Sequence, residues 1–168
     1  MRTFFTADLH FFHKNIIKYC NRPFSSAEDM YDELIKNWNE RVKNEDLVII
    51  IGDFGFCNAT QFETLNSHLN GRKIFIKGNH DSHNVVKTRI NNLVYEWAGI
   101  EMFCVHNPKH HNDKYKINLV GHIHQHWKVK KIKKLFRKPV YLVNVGVDVW
   151  GFKPILMEEI MREIKNNT

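Results

Sequence analysis

The sequence has few cysteines and no long hydrophobic run. Three cysteines, Cys20, Cys57 and Cys104, occur among 168 residues, and they form no Cys-x-x-Cys motif. A small, odd and widely spaced set is typical of reduced thiols, so we expect a cytoplasmic protein without a disulfide framework. The longest unbroken apolar run covers residues 47–51, whereas a membrane helix needs about 20 apolar residues. We therefore expect no membrane partner.

The N-terminal stretch also lacks the features of a signal peptide. It reads MRTFFTADLH and contains no long apolar segment, so we expect no secretory signal there. Hydrophobic residues at 43% and aromatic residues at 12% are sufficient for a sizeable core, which excludes wholesale disorder. The length is close to that of one average domain, so we predict a single domain over residues 1–168.

Positive charge is concentrated in one segment. The chain has 25 Lys and Arg residues against 18 Asp and Glu residues, a formal net charge of +7. The basic segment, residues 128–138, accounts for all of this excess. Its cationic residues are Lys128, Lys130, Lys131, Lys133, Lys134, Arg137 and Lys138.

Two interpretations of the basic segment stay open. Val129, Ile132, Leu135 and Phe136 lie at roughly helical spacing, so the lysines could be the solvated face of a packed element. Alternatively, the segment binds a polyanion such as a nucleotide or nucleic acid, because clustered cations supply the sequence-independent part of such binding.

Strands and helices alternate in the first half of the chain, and strands dominate the second half. Ser25 with Glu28 and Thr60 with Glu63 predict helix starts, the first helix running to about Val42. A last helix is expected over residues 155–165. The predicted strands cover residues 2–7, 47–51, 73–76, 102–105, 117–120 and 140–145. This order predicts an α/β fold with two packed sheets flanked by helices.

Side chains that bind metals recur just after these strands. They are Asp8, His10, Asp53, Asn79, His106, His122 and His124, with His80 beside them. Loops beyond the carboxyl ends of strands share one edge of a sheet, so these groups can converge. Within Asp8-Leu9-His10 and His122-Ile123-His124, an extended backbone would project both ligands to the same side.

The chemistry of this set points to two divalent ions. Carboxylates, an amide oxygen and imidazoles suit Mn²⁺, Fe, Zn²⁺ or Co²⁺ better than Ca²⁺ or Mg²⁺, which prefer all-oxygen shells. Seven ligands are too many for one tetrahedral site. Two ions with one bridging carboxylate can clamp a phosphate and deprotonate a water molecule between them.

The motifs occur in a characteristic order: Asp-x-His at 8–10, Gly-Asp at 52–53, Gly-Asn-His-Asp at 78–81, a single His at 106 and Gly-His-x-His at 121–124. This series resembles the calcineurin-like metallophosphoesterase family, in particular its small single-domain bacterial and phage members. NRPF at 21–24 and NVGVDVW at 144–150 are similar to those members. His106 departs from the commonest form, because it follows Val rather than Gly.

The resemblance implies a four-layer αββα sandwich of two mixed sheets with a dinuclear centre. It assigns Asp8, His10 and His124 to one ion. It assigns Asn79, His106 and His122 to the other ion, with Asp53 bridging the two. Mn²⁺ is the expected metal, and Fe, Zn²⁺, Ni²⁺ and Co²⁺ are the alternatives.

The resemblance also implies a mechanism. A hydroxide bridging the metals attacks phosphorus, and His80 protonates the leaving group while Asp81 orients His80. Asn79 and His80 would line the substrate site. Arg22 is open to two interpretations, a bidentate contact with the substrate phosphate or a helix-capping salt bridge. His13 and His126 lie nearest the ligands in sequence and are minor candidates for contacts around the site.

The expected activity is hydrolysis of phosphate esters. Phosphodiesters are favoured over monoesters, because a leaving alkoxide gains most from a general acid. The alternatives are a phosphomonoesterase or nucleotide phosphatase, and a non-catalytic nucleic-acid-binding scaffold on the same fold.

Overall fold

Strands and helices alternate over the first half of the chain, and strands dominate the second half. The computed structural model describes residues 1–81, 86–135 and 137–167. In these ranges the strands are β1 (Thr3–Thr6), β2 (Leu47–Ile51), β3 (Arg72–Ile76), β4 (Asn92–Trp97), β5 (Ile100–Val105), β6 (Ile117–Val120), β7 (Val129–Lys134), β8 (Arg137–Asn144) and β9 (Ile155–Leu156). The α-helices are α1 (Asn15–Tyr19), α2 (Ala27–Asn39), α3 (Ala59–His68) and α4 (Met157–Asn166). His83, to which the sequence assigned no role, and Phe136 lie outside these ranges.

The strands form two mixed sheets. The first has the order β3-β2-β1-β9, in which β1, β2 and β3 are parallel and β9 is antiparallel to β1. The second has the order β4-β5-β6-β8-β7, with a parallel centre of β5, β6 and β8 and antiparallel strands at both edges. The predicted α/β class, with two mixed sheets and flanking helices, is confirmed.

Strand alternation divides the first sheet between two cores. Phe4, Val48 and Ile50 face the helices, where they pack with the buried stripe of α2 and with Leu65 of α3. The alternate residues of β1 and β2 face the second sheet and pack between the two sheets. Because both faces are covered, β2 is apolar throughout its length, as expected for a central parallel strand.

The second sheet is covered differently on its two faces. Met102 and Leu119 point toward the first sheet, and α4 contributes Ile160 to the same core. On the outer face, a small cluster around Phe103 and Val120 is packed by the side chains of Tyr115 and Trp127, among others. No helix in the described part of the chain is long and apolar enough to cross a membrane.

Several predicted boundaries are shifted, and three strands were missed: β4, β7 and the short β9, which occupies the predicted start of the last helix. The N-cap of α2 is Ser26, whose side chain accepts from the amide of Asp29, rather than Ser25. Similarly, α3 is capped by Asn58 and not by Thr60. The missed strand β4 pairs with β5 through a turn at Ala98 and Gly99, both in the left-handed region. That turn is a hairpin signal that the sequence contained.

The helical interpretation of the basic segment is wrong. β7 pairs antiparallel with β8, so the segment forms a hairpin at the edge of the second sheet. In a strand, successive side chains point to opposite faces. Lys130 is exposed on one face of the strand, whereas its neighbour Lys131 points to the other face and lies 5.7 Å from the centroid of the Tyr141 ring. The lysines therefore do not share one solvated face.

The position of the α2 cap can be tested with a pair of adjacent serines. We expect Ser26→Ala to lower the free energy of unfolding by about 1 kcal/mol, because it leaves the Asp29 amide without its acceptor. Ser25→Ala should cost about 0.5 kcal/mol, because its hydroxyl makes an exposed hydrogen bond to the Asp29 carboxylate. Urea denaturation of both variants measures the difference, and a larger loss for Ser25→Ala would contradict the assignment.

Candidate metal centre

The loops that follow three parallel strands of the first sheet carry half of the predicted site. Asp8 and His10 follow β1, Asp53 follows β2, and Asn79 and His80 follow β3. Because β1, β2 and β3 run parallel, these loops lie at the same edge of the sheet.

The second sheet supplies the other half. His106 follows β5, and His122 and His124 follow β6, which is parallel to β5. The backbone amide of His122 donates to both carboxylate oxygens of Asp8, at 3.0 and 2.9 Å. This contact ties the loops of the two sheets together across the sandwich.

The predicted ligands lie close enough to hold metal ions. Asp8, His10 and His124 form one group in which the ligand atoms lie within 4.8 Å of one another. Asp8, Asp53 and His106 form a second group of the same kind. Asp8 is common to both groups. Asp53 Oδ2 lies 3.3 Å from His106 Nε2 and 3.7 Å from His10 Nε2, so this carboxylate also adjoins an imidazole of each group.

Asn79 connects the remaining imidazoles. Its side-chain oxygen lies 3.0 Å from His106 Nε2 and 2.8 Å from His122 Nδ1. The other nitrogen of His106 bonds to the carbonyl of Ile51 at 2.8 Å, which fixes the ring and directs Nε2 into the cluster. The structure thus brings all seven predicted ligands together.

One buried atom of His10 calls for a further partner. Its Nδ1 lies 3.3 Å from the ring nitrogen of His13, while Nε2 is buried and has no hydrogen-bond partner among the described residues. Burial lowers the pKa of His10 to about 2, so the ring is neutral and Nε2 can present a lone pair. A neutral imidazole with an orphaned nitrogen beside two carboxylates is what a divalent cation requires.

Both carboxylates are almost fully buried, with different consequences. Burial raises the pKa of Asp8 to about 6, although the nearby imidazoles His106 and His124 favour its charged form. Burial also disfavours the charge of Asp53, but the hydrogen bond and charge of His106 outweigh it and hold the pKa of Asp53 at about 2. Two buried acids in one cluster need cationic partners, which divalent ions would supply.

The backbone around the ligands is not extended, contrary to our expectation for the two i, i+2 pairs. Asp8, His10, Asp53, His122 and His124 all have positive φ values, between 47° and 74°. Such conformations are uncommon for residues other than glycine and cluster at functional sites. These five side chains are therefore directed by their own left-handed backbone conformation rather than by strand alternation.

Hydrogen bonds between loops hold these conformations. The amide of Asp8 donates to Gly52 O at 3.1 Å, and the amide of His10 donates to Asp53 O at 3.1 Å. The amide of Phe11 continues the series to Phe54 O at 3.0 Å. The pairing of β1 with β2 is thereby extended beyond the ends of both strands.

Close packing explains the glycine before Asn79. A Cβ atom at Gly78 would collide with the carboxylate and the backbone nitrogen of Asp53. Likewise, a Cβ at Gly146 would lie 2.7 Å from Asp8 Oδ2. Only glycine allows the backbone to approach these carboxylates so closely.

Arg22 has a different environment from the two that the sequence suggested. Its side chain is fully buried and forms a bidentate pair with Asp148, with N–O distances of 2.8 and 3.0 Å. It also donates to the carbonyls of Asp8 at 2.7 Å and Leu9 at 3.0 Å. These bonds hold the loop that carries the first two ligands, so Arg22 is neither a substrate contact nor a helix cap.

Asp148 joins this pair to the centre. Its Oδ2 accepts from His124 Nδ1 at 3.0 Å. Burial alone would lower the pKa of His124, but hydrogen bonds with Asp148 and Cys20 raise it to about 10. A carboxylate behind a metal-binding imidazole fixes its orientation and increases its basicity. One signal of this role is present in the sequence, because Asp148 is an isolated acid within the apolar stretch after β8.

Asp81 also has a role that we did not predict. Its carboxylate accepts from the backbone amides of Gly78 at 2.7 Å, Asp53 at 2.9 Å and Phe54 at 3.2 Å. Asp81 thus joins the loops after β2 and β3, and its orientation of His80 stays a prediction. The sequence could not show this, because the amides belong to a distant loop.

His80 lies at the exposed mouth of the cluster. Its ring centroid is 5.5 Å from that of His10, and its backbone amide donates to Asp53 Oδ1 at 2.9 Å. His13 lies on the same side, with its ring 5.3 Å from that of His10. His126 is exposed.

Comparisons with known proteins are consistent with this geometry. The profile described as the calcineurin-like phosphoesterase superfamily domain matches residues 1–150. An uncharacterized protein of Methanocaldococcus jannaschii is 36% identical over 169 residues, covering 98% of this chain and 92% of the relative. The gene 66 protein of Mycobacterium phage L5 is 34% identical over 95 residues, which cover 55% of this chain and 45% of that protein.

A solved structure has the same fold. The crystal structure of a protein of unknown function from Aquifex aeolicus superposes with a TM-score of 0.73 at 22% identity. The match covers 96% of this chain and 98% of the other.

The role of Asp148 can be tested by metal binding. We expect Asp148→Asn to weaken binding of Mn²⁺ at the group containing His124 by about 10- to 100-fold, because that imidazole loses its charged partner. Calorimetric titration and metal analysis would measure this, with circular dichroism confirming that the variant is folded. The matched control is Asp113→Asn, which removes a carboxylate that pairs with His111 at 3.2 Å in neither ligand group. Equal losses in both variants would contradict the assignment.

Proposed function

The chain belongs to the calcineurin-like phosphoesterase superfamily, and from this premise we propose that it hydrolyses phosphate esters with the help of two divalent metal ions. The observation that carries the proposal is the convergence of two ligand groups that meet at buried carboxylates. A site built only for structure would not need two buried acids among four imidazoles.

We assign Asp8, His10 and His124 to one ion. The other ion is assigned to Asn79, His106 and His122, with Asp53 between the two ions. The distances from Asp53 to the imidazoles of both groups support its shared position. Two ions bound here would lower the pKa of a water molecule and neutralise charge developing on the phosphoryl oxygens. The donor set fits Mn²⁺, Fe, Zn²⁺, Ni²⁺ or Co²⁺, and Mn²⁺ is our first choice.

His80 is proposed as the general acid. Its exposed position beside His10 allows its ring to reach a substrate bound at the cluster, and its backbone is fixed by the bond to Asp53. A proton delivered to the leaving oxygen replaces the negative charge that would otherwise form there. Asn79, whose amide lies between two imidazoles, is placed to contact the same substrate.

Phosphodiesters remain the preferred substrates. Beside the cluster, on the side of His106, lies a cavity of about 350 Å³ whose polar lining includes Lys77, Asn91 and His110. His80 and His13 lie on the side of His10 instead. A cavity on one side of the cluster and the proposed general acid on the other suit a phosphorus atom with two substituents.

The alternatives differ in what they require of this site. A phosphomonoesterase or nucleotide phosphatase would use the same residues and leave the cavity to solvent. A nucleic-acid-binding scaffold would use the charge of the basic segment without turnover. The orphaned nitrogen of His10 favours a metal-dependent enzyme over the scaffold.

The basic segment is proposed as an additional contact for a polyanionic substrate. Its first residue, Lys128, follows the loop of His124, and the side chain of Asn144 bonds the carbonyls of His124 and Trp127 at 2.7 and 3.0 Å. The segment is thus anchored to the metal-binding loop. Lys130, Lys133 and Lys138 are exposed and available to phosphates.

Metal dependence is the first test of the enzyme. Protein loaded with Mn²⁺ should hydrolyse bis-p-nitrophenyl phosphate faster than p-nitrophenyl phosphate, and EDTA should abolish both activities. Faster cleavage of the monoester would favour the phosphatase alternative. Absence of hydrolysis of either compound with every metal named above would overturn the proposal.

The general acid is tested separately. We expect His80→Ala to lower kcat by about 10²- to 10⁴-fold while metal content stays unchanged, because His80 is assigned to proton transfer and not to metal binding. The control is His68→Ala, an exposed residue at the end of α3. Loss of a metal ion from His80→Ala would show that its role was misassigned.

A further inference from the structure

A cluster of rings borders the candidate centre on the side of His80. Phe56 lies 4.4 Å from His13 and 5.4 Å from His80, measured between ring centroids. The ring centroid of Tyr19 lies 6.3 Å from that of His13. We call Phe56, His13 and Tyr19 the aromatic wall.

The aromatic wall is unusual because it leaves two large rings in contact with solvent. Tyr19 is 69% exposed and Phe56 is 36% exposed. In the part of the chain that the structure describes, they are the two aromatic residues among the exposed large hydrophobic side chains, and both adjoin His13. Neither belongs to the described hydrophobic clusters. Core packing therefore does not explain their position.

The backbone holds Phe56 where it is. Phe11 forms an isolated parallel bridge with Gly55, and the amide of Phe56 donates to Phe11 O at 2.8 Å. A Cβ at Gly55 would lie 2.8 Å from that same oxygen, which shows how closely the two segments approach. Two residues earlier, Phe54 is fully buried in the core. The loop thus directs one phenylalanine inward and presents the next one at the site.

We propose that the aromatic wall binds a nucleobase of the phosphate-ester substrate by stacking. This inference rests on the proposed function and names its substrate class, a nucleotide or a nucleic-acid ester. Stacking on aromatic side chains accepts every base, because each base has a π face. The distance between Phe56 and His80 also suits such binding, because their ring centroids are 5.4 Å apart. A base stacked on Phe56 would place the phosphate of the same nucleotide near the predicted metal ligands.

The proposal is tested by binding rather than turnover. For protein loaded with Mn²⁺, calorimetry should show that AMP binds about 10-fold more tightly than ribose 5-phosphate, because the pair differs by the base. Phe56→Leu should reduce this preference below about 3-fold, and Phe56→Trp should preserve it. Tyr19→Leu should reduce it to a smaller extent. Val94→Ala, an exposed apolar position on the outer face of β4, serves as the control and should not change it.

The outcomes are distinct. Equal affinity for AMP and ribose 5-phosphate in the wild type, or an unchanged preference in Phe56→Leu, would overturn the proposal. A second pair of ligands, phenyl phosphate and methyl phosphate, tests whether the aromatic wall recognises a simple aryl group rather than a nucleobase. A Phe56-dependent preference for AMP alone supports a nucleobase site, and the same preference confined to phenyl phosphate overturns it in favour of aryl esters. This experiment measures binding and not turnover. If the protein hydrolyses no phosphate ester but still binds AMP more tightly than ribose 5-phosphate, the proposed enzyme is refuted while the proposed base-binding role of the aromatic wall is retained.

Discussion

The pairing of β1 with β2 beyond the ends of both strands is the constraint on which the rest of the site depends. The amides of Asp8, His10 and Phe11 donate to carbonyls of the loop after β2 and so continue the hydrogen-bond ladder. The amide of Phe56 in that loop donates in turn to the carbonyl of Phe11. Parallel strands give a fixed spacing to the residues that leave their carboxyl ends. As a result, the ligands on two loops and the exposed ring beside them are placed by one set of backbone bonds.

This arrangement costs free energy that the surrounding structure must offset. Five of the seven ligands have left-handed backbone conformations, each costing about 1–3 kcal/mol for a residue with a side chain. Arg22 offsets part of that cost, since its buried guanidinium binds the carbonyls of Asp8 and Leu9 while Asp148 neutralises its charge. Asp81 does the same for the loops after β2 and β3.

The sequence predicted which polar side chains would lie together, because their position depends on local order, a strand followed by a polar residue. It predicted the fold class for the same reason. It failed where two patterns overlap: Ser25 and Ser26 both precede an acid at the right distance, and only the backbone decides between them. The roles of Arg22 and Asp81 depend on partners far away in sequence, Asp148 being 126 residues from Arg22. No local pattern contains that information.

The hairpin formed by β7 and β8 has a consequence unrelated to substrates. In the described residues, β7 is the last strand of its sheet, and one side of its backbone has no neighbouring strand. An unpaired edge is a template on which a strand from another molecule can add. Lysines along that strand repel a second copy of the same edge. The exposed charges of Lys130 and Lys133 on β7 therefore oppose edge-to-edge pairing of two copies of this sheet.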